Sequence, residues 1–133
     1  MVPSSAVRKG RAGEGLSGAQ RLQASTLFAE AYAQDHCQRG RYMLLWLRHG
    51  EGAALRVGVV TSRKVGNAVY RAKARRRLRE VFRRHRAELC GVVDLVFVAR
   101  ASLVNAPWDE VVNDFLRLMD KAGLRTTPPE NIT

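Results

Sequence analysis

"SRKVGNAVYRAKARRRLREVFRRHR", residues 62–86, decides how this chain of 133 residues is read. From Arg63 onward it holds 11 Lys and Arg against one acid, Glu80, and so carries +10 of the chain's formal +11. The rest of the chain is close to neutral. Like charges this close repel one another unless a polyanion neutralises them, so the segment points to nucleic acid or an anionic membrane surface. Helical geometry decides how the charge is displayed. At about 100° per residue, Tyr70, Ala74, Leu78, Val81, Phe82 and His85 fall within roughly a 120° arc, a stripe suited to face a core. Arg75, Arg76, Arg79, Arg83 and Arg86 share the exposed side. A membrane-surface helix would need its apolar stripe for lipid, whereas here the fold uses it and the other face offers no apolar anchor. Gly66 and Asn67 supply the turn and the N-cap. His85, on the apolar side, reads as a packed histidine.

Working outward, "RYMLLWLRH" (residues 41–49) reads as a buried strand, "GEGA" as a turn and "LRVGVVTS" (residues 55–62) as the antiparallel return strand of a hairpin. Upstream, residues 20–34 read as a short amphipathic helix, or as two turns broken near Ser25, with Leu27, Phe28, Ala31 and Tyr32 on one face. Downstream, "GVVDLVFVAR" (residues 91–100) is a strand interrupted by Asp94. "NAPWDEVVNDFLRLMDKAG" is a closing helix, with Asn105 near its N-cap, Pro107 in its first turn and Gly123 at its stop. Trp108, Val111, Val112, Phe115, Leu116 and Met119 form its buried stripe. The order α-β-β-α-β-α gives an α+β fold, a small mixed sheet packed with helices. Residues 1–18, rich in Gly, Ser and Ala, read as a flexible tail, residues 19–123 as one domain and residues 124–133 as a second tail.

The sequence offers no strong catalytic constellation. There is no G-x-S-x-G elbow, H-E-x-x-H pair or Walker loop, and no D-x-D pair to hold a metal for phosphodiester cleavage. Cys37 and Cys90 stand far apart and read as free thiols, and Asp35, His36 and Cys37 as a polar turn rather than a ligand cluster. The longest apolar runs, "YMLLWL" and "LVFVA", are strand-sized, and the first 20 residues lack the apolar region of a secretory signal, which leaves the cytoplasm as the expected location. A basic helix plus aromatic side chains outside it suits RNA, with phosphates on the cations and unpaired bases on the rings.

Residues 56–83, "RVGVVTSRKVGNAVYRAKARRRLREVFR", closely resemble the signature segment of the bacterial ribonuclease P protein family. These are small basic subunits that assist a catalytic RNA in removing 5′ leaders from precursor tRNA. The likeness runs from "RLQASTLFAEAY" through the last helix. The family pattern Lys-x-Gly-x-Ala-Val-x-Arg-Asn-Arg falls on Lys64, Gly66, Ala68, Val69, Arg71, Ala72 and Lys73, so alanine stands where the family has Asn and lysine where it has its second Arg. The resemblance implies a left-handed βαβ crossover, against the usual hand. It also implies an RNA-facing set comprising Arg63, Lys64, Asn67, Arg71, Lys73, Arg75, Arg76, Arg79 and Arg83. A cleft for the single-stranded leader, lined by Phe28, Tyr32 and Trp46, is implied as well. Catalytic groups and Mg²⁺ would then sit on the RNA subunit, with none on this chain. The expected partners are the catalytic RNA, in a 1:1 complex, and precursor tRNA, with no membrane. A ribosomal or ribosome-assembly protein is the alternative, and a protein-only nuclease a third reading.

Overall fold

The computed structural model describes Arg21 and residues 25–126. The N-terminal tail expected over residues 1–18 and residues 127–133 of the second lie outside the described residues. Helix α1 (Ser25–Gln34) leads into strands β1 (His36–Arg39), β2 (Met43–Arg48) and β3 (Val57–Val60). A 3₁₀ turn (Arg63–Val65) then introduces helix α2 (Ala68–His85), followed by strand β4 (Asp94–Ala99) and helix α3 (Trp108–Lys121). The sheet order is β1-β2-β4-β3, with β1 and β4 antiparallel to β2, and β3 parallel to β4. It is a mixed sheet in an α+β fold.

Alternation along the strands sorts the core into two layers. Met43, Leu45, Leu47, Leu95, Phe97 and Ala99 form the main core with Ala74, Leu78, Val81 and Phe82 of α2 and with Val111, Phe115, Leu118 and Met119 of α3. On the opposite sheet face Val96 packs with Ala31 of α1, and Leu27, Phe28, Trp46 and Val60 close around them.

Four expectations are corrected. First, β2 and β3 do not form a hairpin, because β4 lies between them. Leu95, Val96 and Phe97 are all fully buried, so β4 needs cover on both faces and neighbours on both edges. Asp94 fixes the arrangement electrostatically: its buried carboxylate accepts hydrogen bonds from Arg48 at the end of β2 and from Arg56 just before β3. Second, His36 and Cys37 belong to edge strand β1, with Cys37 opposite Trp46. Only Asp35 turns the chain, with a φ of 56° that Asp tolerates better than most residues. Third, Arg21 bridges to Val57 instead of extending α1, and Pro107 rather than Asn105 occupies the N-cap position of α3. Fourth, residues 124–126 join the body rather than the tail. Leu124 is buried in the core, its carbonyl accepts from Cys90 N (2.7 Å), and Thr126 N donates to Glu88 O (2.7 Å).

Candidate RNA interface

Helix α2 starts where the sequence marks it. Asn67 is the N-cap, its side-chain oxygen accepting from Tyr70 N (3.0 Å), and Gly66 at φ 135° makes the turn that L side chains resist. The cations of the segment then divide by task. Arg63 and Lys64 are exposed on the 3₁₀ turn, and Arg76 is exposed on the helix. Arg71 donates to Gly66 O (2.7 Å) and Arg75 to Thr61 Oγ1 (3.0 Å), so both guanidinium groups are held along the side of α2 that meets the end of β3. Arg79, one turn beyond Arg75, is half-buried. Burial, then the charges of Arg21 and Arg75, pull its pKa down to about 10, which leaves it fully charged near neutral pH. Arg21 and Arg75 thus repel Arg79, and the Nε atoms of Arg21 and Arg86 are buried without a hydrogen-bond partner. A phosphate would relieve that repulsion.

Other basic residues have structural work. Arg77 donates to the carbonyls of Leu103 (2.8 Å), Val104 (3.0 Å) and Ala106 (2.7 Å), tying α2 to the loop before α3. Arg77 and Arg84 also lie over the Trp108 ring. Arg83 was expected on the free cationic face, yet it is paired with Glu80 (2.6 Å), as is Arg84 (2.6 Å). Those hydrogen bonds hold the Glu80 carboxyl down to about 2. Lys73 and Asn67 stay on the helix surface and at its cap. Tyr70 departs from the core stripe assigned to it: the residue is 48% exposed. His85 packs as expected, its Nδ1 2.9 Å from Val81 O and its ring tilted against Phe115.

The three cleft aromatics come together on the sheet face away from α2. Tyr32 meets Trp46 edge to face, with ring centroids 5.2 Å apart, and Phe28 packs in the same cluster. Tyr32 remains 39% exposed, and burial raises its phenol above the ordinary value, so the ring stays neutral at physiological pH. Leu44 and Val98, half-buried on the same face one register step from Trp46 and Val96, extend the apolar floor past α1.

An ionic network that sequence reasoning missed anchors α1 above this floor. Arg48 donates to Glu30 on α1 (2.7 Å), to Asp94 on β4 (2.7 Å) and to Glu51 O (2.9 Å). Burial pushes the Asp94 carboxyl up, but hydrogen bonds from Arg56, Ala54 and Arg48 outweigh it and leave the carboxyl below its ordinary value. The signal was a lone acid inside an apolar strand, since a buried charge needs a partner. Asp114 is likewise committed, accepting from Arg41 N and Tyr42 N (both 2.9 Å). Among the described residues, no three His, Cys, Asp or Glu side chains come together as metal ligands, and no helix is long and apolar enough to cross a membrane. Cys37 and Cys90 are free.

Comparison with known proteins places these features in a family. The family model for ribonuclease P matches residues 16–123. The ribonuclease P protein component of Nocardioides sp. is 36% identical over 115 residues, covering 84% of this chain and 98% of that protein. That of Chloroflexus aggregans is 32% identical over 111 residues, covering 83% and 82%. The solved ribonuclease P protein from Thermotoga maritima superposes with a TM-score of 0.68 at 26% identity, over 76% of this chain and 96% of that one. Its fold is the one described above. With a family model matching residues 16–123 and relatives aligned over more than four fifths of its length, the chain belongs to the ribonuclease P protein family.

Proposed function

We propose that this chain is the RNA-binding subunit of a ribonuclease P holoenzyme, and that it assists a catalytic RNA in removing the 5′ leader from precursor tRNA in the cytoplasm. One observation carries the proposal: the cationic side of α2 and the aromatic sheet face flank the same edge strand, β3. Arg75 reaches Thr61, the residue after β3, while Val60 packs with Phe28 and Trp46 on the other side. An RNA lying along Arg71, Arg75 and Arg79 is therefore next to a surface suited to unpaired bases.

The division of labour follows from the side chains. Arg63, Lys64, Arg71, Lys73, Arg75, Arg76 and Arg79 neutralise phosphates of the catalytic RNA, and Asn67 fixes the helix start that presents them. Arg83 contributes less charge because Glu80 holds it. Phe28, Tyr32 and Trp46 receive the leader, with Tyr32 the most accessible ring. Glu30, Glu80, Asp94 and Asp114 are engaged by arginines or backbone amides, and in the proposed holoenzyme Mg²⁺ and the groups that cleave the phosphodiester belong to the RNA subunit. There the metal would activate the attacking water and stabilise the leaving oxygen. The protein's share is affinity: cations that lower phosphate repulsion where two RNAs meet also favour metal binding nearby. One protein per catalytic RNA is in keeping with the cationic face that α2 presents among the described residues.

The test is reconstitution. Purified protein is added to precursor tRNA with and without ribonuclease P RNA, at near-physiological Mg²⁺. Cleavage at the mature 5′ end, stimulated by the protein only when the RNA is present, is the expected result. Metal-dependent cleavage by protein alone, or no stimulation together with binding to ribosomal RNA, would overturn it.

A further inference from the structure

We infer that Tyr70 is a stacking platform for an unpaired RNA base at the start of α2, a contact separate from the phosphate-binding arginines. The inference rests on the RNA-binding reading of α2. Periodicity assigns Tyr70 to the core stripe, yet the residue is 48% exposed and its neighbour Val69 72% exposed. Two consecutive large apolar side chains in the open are unusual in a segment otherwise so polar, and an exposed apolar patch in a charged surround marks an interaction site.

The ring is held in place rather than loose. A Cβ on Gly66 would stand 2.6 Å from Tyr70 Cδ2 and 3.1 Å from its Cβ, so the side chain lies directly against the Gly66 backbone. The Asn67 side chain fixes the Tyr70 backbone N–H, and Arg71 Nη1 donates to the carbonyl of the same Gly66. Glycine at 66 therefore serves both the turn and the seat of the ring. A ring immobilised beforehand loses little entropy on binding.

Charge identifies the occupant. Arg63, Lys64, Arg71 and Lys73 lie within a few residues on either side, and the one acid of the segment, Glu80, is already paired with Arg83 and Arg84. A protein partner would have to bury several cations without a local counter-charge. An RNA strand places its phosphates on those cations and offers a base to the ring. The base must be unpaired, because a base within a duplex has both faces covered by its neighbours.

The test measures binding of ribonuclease P RNA to Tyr70→Phe, Tyr70→Ser and wild-type protein over a range of salt concentrations, with Arg75→Ala as a companion. Tyr70→Ser should weaken binding by roughly 5- to 150-fold, the loss expected of one stacked base. Its salt slope should match wild type, since no phosphate contact is removed. Tyr70→Phe keeps the ring and should bind within about twofold of wild type. Arg75→Ala should instead lower the slope. Thermal melting shows whether each variant is folded. Wild-type affinity in Tyr70→Ser overturns the platform even if Arg75→Ala binds weakly, and a loss in Tyr70→Phe equal to that in Tyr70→Ser replaces stacking with a hydroxyl contact. Normal binding by both Tyr70→Ser and Arg75→Ala would reject this face of α2 as the RNA interface altogether.

Discussion

Replacing Asp94 by alanine should be among the most damaging single changes in the molecule, although the residue lies in no proposed RNA contact. Its carboxylate is fully buried and accepts from Arg48 Nη1 (2.7 Å), Arg56 Nη2 (2.8 Å) and Arg56 Nε (3.0 Å). The Arg48 side chain is only 4% exposed, so removing Asp94 leaves a buried guanidinium with only the half-exposed Glu30 and the Glu51 carbonyl as partners. Breaking a buried pair in this way costs about 3–5 kcal/mol. Glu30, the other partner of Arg48, is 51% exposed, and Glu30→Gln leaves Arg48 bound to Asp94 and Glu51 O. That change should cost no more than about 1 kcal/mol, as for a solvent-screened pair. Equilibrium urea unfolding of the two variants gives both numbers. Because Arg48 also ties α1 to the sheet, Asp94→Ala should loosen Tyr32 over Trp46 and weaken leader binding before it affects the cationic face. A loss below about 1 kcal/mol for Asp94→Ala, or equal losses for the two variants, would refute the buried Asp94 pair as the part of the network that carries its stability.

Three further outcomes are expected. Arg75→Ala and Arg79→Ala should each lower the salt dependence of RNA binding by about 0.7–0.9 per phosphate contact. Arg83→Ala should lower it less, because Glu80 already holds that cation, and titrations at several salt concentrations compare the three. Glu80 has a folded-state pKa of about 2, below the ordinary carboxylate value, so its contribution to stability is complete above about pH 4.5 and is lost as pH falls toward 2. Acid unfolding of Glu80→Gln should accordingly lack that part of the pH dependence. Ala72→Asn, which restores the family residue on the exposed face of α2, should tighten RNA binding by about 0.5–1.5 kcal/mol, one hydrogen bond, as read by direct titration.

The helices were legible because their signals are local. Asn67, Gly66, Pro107 and Gly123 mark ends, and the apolar period of α3 finds Val111, Phe115 and Met119 on its buried face, while Trp108, Val112 and Leu116 are half-buried at its edge and Asp114 and Leu118 are buried unforeseen. The sheet was not, because strand order depends on pairs distant in sequence. "GEGA" between two apolar runs looks like a hairpin turn, and only the joint demand of Arg48 and Arg56 for Asp94 shows that a third strand must enter between them. Strand β1 was hidden because "HCQR" is polar, as an edge strand can be. At the site, charge was legible in bulk and less so residue by residue. Periodicity places Arg83 on the helix surface and leaves Arg77 unassigned, but their partners, Glu80 and the carbonyls before α3, decide that Arg83 is partly neutralised and Arg77 structural. Tyr70 was misplaced for a related reason: its side chain lies against the Gly66 turn, which periodicity does not show.

The claim that this fold joins a cationic helix to a leader-binding sheet face is tested most directly by leader length. The measurement is the affinity of reconstituted holoenzyme for precursor tRNAs with progressively longer 5′ leaders, for wild type, Tyr32→Ala and Trp46→Ala, alongside mature tRNA and the thermal stability of each protein. Wild type should gain affinity over the first several leader nucleotides. The variants should gain less, by roughly 1–3 kcal/mol per lost stacked base, with mature tRNA bound nearly as before. Tyr32→Ala carries the most weight, because its ring is the most exposed of the three and its removal disturbs the core least. The same leader-length dependence in wild type and Tyr32→Ala, at equal thermal stability, would contradict the account.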